Sequence, residues 1–165
     1  MTYTTLVLTE DSLTEADVAH ILSLRPQDAA GDEANDYRVL VPADTERNVL
    51  VTLLDELSLA DFRDALGTIL GKEPRGQAAV AAAQERLDLS LDLLRAAGAD
   101  AAGEITEDDP LPALQRGVTA GADEIVVVTY PHAVEDTFRR DWASRARETL
   151  QVPVLHLYRG TSELG

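Results

Sequence analysis

The chain has 165 residues, 45% of them hydrophobic, which suits one folded core and excludes a disordered chain. Thirty acidic residues against fourteen basic ones set the formal net charge at −16, a field that repels nucleic acid and anionic membranes as partners. With no cysteine there is neither a disulfide framework nor a thiolate metal site, and no apolar run approaches the roughly 18 residues a membrane helix needs.

In chain order, the short apolar run Thr4 to Thr9 predicts a first strand. Glu10 and Asp11 follow it directly, so the amino terminus does not read as a signal peptide, and the cytoplasm is the expected compartment. Ser12, with Glu15 three residues on, has the spacing of a capping box and predicts a helix carrying Ala16, Val18, Ile21 and Leu22. Tyr37 to Val41 predicts a second strand. Thr45 to Arg75 predicts an inserted pair of amphipathic helices, Val49 to Leu57 and Leu59 to Leu70. From Gln77 to Ala97, Val80, Ala83, Leu87, Leu91 and Leu94 recur at helical spacing, with Gly98 as the left-handed stop.

The weakly apolar Ala101 to Ile105 predicts a third strand. Asp109-Pro110 opens a helix with Leu111, Leu114 and Val118, closed by Gly121. Glu124 to Thr129 and Val152 to Tyr158 are continuous rather than alternating apolar runs, as strands buried on both faces require. Between them a helix near Thr137 to Leu150 carries Phe138, Trp142, Ala146 and Leu150. Ala-Gly-Ala-Asp occurs twice, at Ala97 to Asp100 and Ala120 to Asp123, each time between a helix and a strand. Strands alternating with helices predict one α/β domain over residues 1–165 with a doubly wound, five-stranded parallel sheet.

That order of elements, with Gly121-Ala122-Asp123-Glu124-Ile125-Val126-Val127-Val128 and later Val152-Pro153-Val154-Leu155, resembles the universal stress protein family. The resemblance implies a Rossmann-like fold of the adenine nucleotide alpha hydrolase type, strand order 3-2-1-4-5, and a homodimer through the last strand by way of Val152, Val154, Leu155 and Leu157. The family's ATP-binding branch carries a glycine pattern after the fourth strand, because only glycine lets backbone amides close on phosphates. Counting back from Pro153, those positions are Val127, Tyr130, Arg140 and Asp141, and none matches. The expected Asp-Gly-Ser turn after the first strand is replaced by Thr9-Glu10-Asp11-Ser12, in which Asp11 alone can stand for the nucleotide-contacting carboxylate. No cofactor is therefore expected, and ATP is disfavoured.

In an open α/β sheet, ligands lie beyond the carboxyl ends of the strands at the switch point, here between the first and fourth strands. Asp11, Asp44, Thr129 and His132 are the candidate cleft residues, with Glu10, Glu107, Asp108 and Tyr130 on the same rim. Glu10 with Asp11 could ligate a metal, against a structural reading as solvated carboxylates near a helix start. Gly67 to Glu73 falls one residue short of a phosphate loop and places Glu73 where Ser or Thr would hold magnesium. His20 reads as a surface residue, His156 as packed or interfacial, Trp142 as a core anchor, and Arg139 with Arg140 as a solvated pair. No Ser-His-Asp arrangement or nucleophile elbow is present, so no catalytic residue is assigned. The sequence thus points to a regulatory or protein-interaction domain with a degenerate nucleotide site and an unidentified protein partner. The alternative is a binding protein for a nucleoside or a metal held by Asp11, Asp44 and His132.

Overall fold

The computed structural model describes residues 2–24, 35–43, 72–129 and 146–159. The inserted helical pair, Gly67 to Gly71 of the phosphate-loop-like stretch, Asp44, Tyr130, His132, Arg139, Arg140 and Trp142 lie outside the described residues, while Lys72 and Glu73 open a helix. Strands β1 (Tyr3–Thr9), β2 (Asn35–Pro42), β3 (Asp100–Thr106), β4 (Glu124–Thr129) and β5 (Val154–Tyr158) alternate with helices α1 (Glu15–Ser23), α2 (Lys72–Ala96) and α3 (Leu111–Thr119). A helical turn at 146–149 precedes β5. All four strand pairings are parallel, and the order β3-β2-β1-β4-β5 is the predicted doubly wound one.

The sheet is buried on both faces. Val7, Val39, Val126, Val128 and Leu157 point to one layer with Val18, Ile21, Leu87, Leu91 and Leu94 of α1 and α2. Leu6, Leu8, Leu40, Ile125, Val127 and Val154 point to the other with Leu114 of α3, Ala146 and Leu150. Alternate residues of one strand feed opposite cores, which is why β4 reads as an unbroken run of valines. Edge strand β3 is weakly apolar because Ala102, Gly103 and Glu104 are exposed. Its place is fixed by pairing with β2 over seven residues, and by Arg95 of α2, whose Nη2 donates to the Ala101 carbonyl at 2.8 Å.

The repeated tetrapeptide makes the same turn twice. Gly98 (φ 86°) and Gly121 (φ 103°) are left-handed. In each turn the glycine N–H bonds the third carbonyl back (Arg95, Val118) and the next N–H the fifth (Leu94, Gly117), the pairing of a Schellman cap. The second turn also joins the sheet: Asp123 N–H donates to the Thr4 carbonyl at 2.9 Å and Thr4 N–H returns a bond to Asp123 Oδ2 at 2.8 Å.

Helix α1 corrects the predicted cap. Its box is built by Thr14 and Asp17, not by Ser12 and Glu15. Asp17 N–H donates to Thr14 Oγ1 at 3.2 Å, while Thr14 N–H donates to Asp17 Oδ2 at 2.7 Å. Both pairs have the right spacing; packing decides between them, because the Leu13 N–H is bonded to Ser90 Oγ of α2 (3.0 Å) and Leu13 is buried. The turn before it thereby stays extended. At α3, Asp109 Oδ1 accepts from the Leu111 N–H at 3.1 Å, so this aspartate does serve the helix start, one residue earlier than a conventional cap.

Candidate functional site

Beyond the carboxyl ends of β1 and β4, the described residues bring together the turn from β1 to α1, the exit of β5 and the flank of α2. Thr9, the last residue of β1, turns the chain: its hydroxyl donates to the Asp11 carbonyl at 2.7 Å. Asp11 Oδ1 then accepts from the Ser12 N–H at 2.6 Å. This sets the Asp11 carboxylate just beyond the carboxyl end of β1.

Two arginines meet Asp11 there that the sequence does not mark. Arg86 reaches from α2 to place Nε 3.7 Å from Asp11 Oδ1. Arg159 reaches back from just behind β5, with Nη1 3.5 Å from Asp11 Oδ2, Nη2 3.4 Å from Ser12 Oγ and Nε 4.0 Å from Asp17 Oδ2. The Arg159 N–H bonds the Thr129 carbonyl at 2.8 Å, extending the ladder from β4 to β5 by one step and aiming the side chain across the end of β4 toward β1. Each oxygen of Asp11 therefore faces a different guanidinium. Asp17 is buried, while about a fifth of each arginine side chain is exposed (22% for Arg86, 20% for Arg159), so these ion pairs are less screened than fully exposed ones.

The remaining candidates separate. Thr129 is buried and its hydroxyl lies 2.7 Å from His156 Nε2 of β5, on the face of the sheet opposite α1 and α2. His156 is thus packed, as its position in an apolar run suggests, and its ring lies 4.9 Å from that of Tyr158. Glu10 is buried rather than a solvated carboxylate at the helix start, whereas Glu107 and Asp108 are exposed beyond β3. β3 lies two strands from β1, roughly 10 Å away. His20 is half-buried, with Nδ1 shielded from solvent. Among the described residues, no group of three His, Asp or Glu side chains is arranged to hold a metal ion. No described helix is long and apolar enough to cross a membrane.

At the predicted dimer edge, Val154 and Leu157 are buried in the chain's own two cores, while Val152 and Leu155 are half-buried. Ile125 N–H bonds the Pro153 carbonyl, so the Val154 carbonyl points outward; there it accepts from Arg147 Nε at 3.2 Å.

Arg86, Arg159 and Ser90 are the residues that sequence reasoning misses. An arginine immediately after the last apolar strand is a signal for the crevice, since the exit of a parallel strand opens on the ligand side. Arg86 lies on the helical stripe next to Leu87, and nothing local marks it.

No protein-family model matches the chain, and no curated protein matches it. Solved structures do. A crystal structure of a universal stress protein in complex with cAMP is 17% identical, with a TM-score of 0.52, over 96% of this chain and 98% of that one. The structure of a universal stress protein from Archaeoglobus fulgidus is 14% identical, with a TM-score of 0.54, over 96% and 95%. Element order, parallel pairing and the sequence 3-2-1-4-5 agree with these neighbours, and the chain has the universal stress protein fold.

Proposed function

We propose that this chain is a universal stress protein-like domain that acts in regulation or protein interaction, as a cytoplasmic homodimer, without ATP and without catalysis. One observation carries the reading: the Asp11 carboxylate, which the family resemblance assigns to the nucleotide, is held between Arg86 and Arg159 inside the chain. The absence of the phosphate-loop glycines at 127, 130 and 140 supports it from the sequence side. Calorimetric titration with ATP and magnesium tests it. The expected result is no heat of binding up to millimolar nucleotide, and micromolar affinity would refute the reading.

The second reading is a small-molecule protein using the same crevice, with Asp11, Asp44 and His132 toward a nucleoside or a metal. Its support is that a neighbour sharing the fold over nearly its whole length was crystallised with cAMP. Native mass spectrometry of freshly purified protein separates the two: a retained ligand or metal supports the second reading, and an empty protein counts against it.

A further inference from the structure

Helix α3 covers only part of the sheet face it rests on. Leu6, Arg38 and Ala102 stand side by side on β1, β2 and β3, and all three belong to the face on which Leu6 and Leu40 form the second core. α3 lies over Leu6, close enough that a Cβ at Gly117 would come within 2.6 Å of that side chain. Past Leu6 the face continues onto Arg38, Ala102 and Glu104, which are exposed. The step from helix to exposed sheet is a groove of about 370 Å³, with Ala102 in its floor and Gly117 and Ala120 in its wall. That volume falls at the small end of ligand sites, which run from roughly 300 to 1,000 Å³. The charged lining is Arg38, Arg116 and Glu104, so two arginines against one glutamate leave the groove net positive in a chain whose formal charge is −16. Each arginine engages one nitrogen within the chain: Arg38 Nε donates to Asp36 Oδ2 at 3.0 Å, and Arg116 Nη2 to Glu104 Oε1 at 3.4 Å. Their other N–H groups have no partner among the described residues. Both arginine side chains are mostly exposed, 58% and 66%, so these ion pairs hold them weakly.

We propose that this groove binds a small organic carboxylate, with its apolar body over Ala102 and against Gly117 and Ala120 and its anionic end between Arg38 and Arg116. A guanidinium presents paired N–H groups that match the two oxygens of a carboxylate. The slight excess of positive charge suits a monoanion, whereas a dianion would meet Glu104 and the negative field of the whole chain. The small apolar surface between the arginines and α3 favours a ligand with a ring or a short chain over a bare inorganic anion. This site goes beyond the function proposed above. It lies over the middle of β1, β2 and β3 on the face opposite α1 and α2, away from the strand ends where Asp11 meets Arg86 and Arg159.

The test uses the full chain, with benzoate as probe and benzyl alcohol as its neutral counterpart, read by ¹⁵N amide chemical shifts. Benzoate should bind saturably at millimolar concentration or below, with the largest shifts at Ala102, Gly117 and Ala120, and benzyl alcohol should bind about tenfold more weakly. Replacing both arginines, Arg38→Gln with Arg116→Gln, should weaken benzoate by about tenfold and bring it to the level of benzyl alcohol. Ala102→Phe, at an exposed position of the edge strand, should block both probes while leaving the two cores untouched. Circular dichroism identifies a variant that fails to fold, and the other then carries the test. The proposal is overturned if benzoate does not saturate, if benzyl alcohol binds as well, if the shifts centre on Asp11 and Arg159 instead, or if benzoate binds a folded variant as tightly as wild type. None of these outcomes depends on whether the chain binds ATP.

Discussion

The Thr129 hydroxyl and His156 Nε2 lie 2.7 Å apart, and both side chains are buried where β4 and β5 run side by side. A buried hydrogen bond contributes less when made than it costs when one partner is orphaned. Thr129→Val, which leaves the imidazole facing a methyl group, should destabilise the chain by about 1 to 3 kcal/mol. The double variant Thr129→Val with His156→Leu should lose less than the sum of the two single changes. Urea denaturation of the four proteins measures this, and additive losses would show that the pair is not energetically coupled.

Two glycines make a contrasting pair. A Cβ at Gly103 would lie 2.5 Å from the Val39 carbonyl oxygen, whereas one at Gly117 would meet only the Leu6 side chain, at 2.6 Å. Val39 lies in β2, which is paired on both sides and cannot retreat, but a leucine can change rotamer, and alanine is favoured by about 1 kcal/mol over glycine in a helix interior. Gly103→Ala should therefore cost about 1 to 3 kcal/mol or more, and Gly117→Ala distinctly less. The check is the shift in urea midpoint at unchanged m-value; equal shifts would contradict the packing argument.

Tyr3 is pushed up to about 12 from its usual 10.0 by partial burial, then by the charge of Glu124 and the hydrogen bond to it, and by Asp123. An acid whose folded pKa lies above its unfolded one supports folding below the unfolded value and loses that support as pH rises through the folded one. The contribution of Tyr3 should be complete below pH 10.0 and fall away toward about 12. Ultraviolet titration should show a late-ionising component that loses one tyrosine's amplitude in Tyr3→Phe and moves in part to lower pH in Glu124→Gln. A wild-type titration without a late component would exclude the interaction.

The expected dimer can now be probed without confusing assembly with folding. Leu157 is 1% exposed and belongs to the core, so Leu157→Asp should unfold the chain. Leu155 is only half-buried, and Leu155→Glu should leave circular dichroism intact while converting dimer to monomer in sedimentation. With the outward Val154 carbonyl already bonded by Arg147, contact between copies should rest on side chains at Val152 and Leu155 rather than on a continuous ladder. A wild-type chain that sediments as a monomer at micromolar concentration would rule the dimer out.

Most of the fold was legible because its signals are local. Val126 to Val128 are apolar without alternation since both faces of β4 are covered, and Gly98 and Gly121 stand where only a left-handed residue ends a helix. The cap of α1 is not legible locally because Ser12 and Thr14 both precede an acid by three residues, and the choice depends on Ser90, which is far along the chain. The site was half legible for the same reason. Asp11 follows from its place after the first strand, but its partners Arg86 and Arg159 come from an α2 flank and a β5 exit that only the folded sheet brings together. The position of Thr129 at the end of β4 points to the cleft, yet its hydroxyl turns to His156 on the other face.

The reciprocal bonds between Thr4 and Asp123 join positions 119 residues apart, and the strand they anchor is the middle one of the sheet. A ribosome delivers β1 first, yet one of its edges has no partner until β4 has left the exit tunnel. Through most of synthesis the nascent chain thus carries a half-paired, apolar strand, the kind of surface that chaperones bind and that aggregates when left exposed. Loop closure over so long a separation also places the β1 to β4 pairing late in folding and makes it slow compared with the helices.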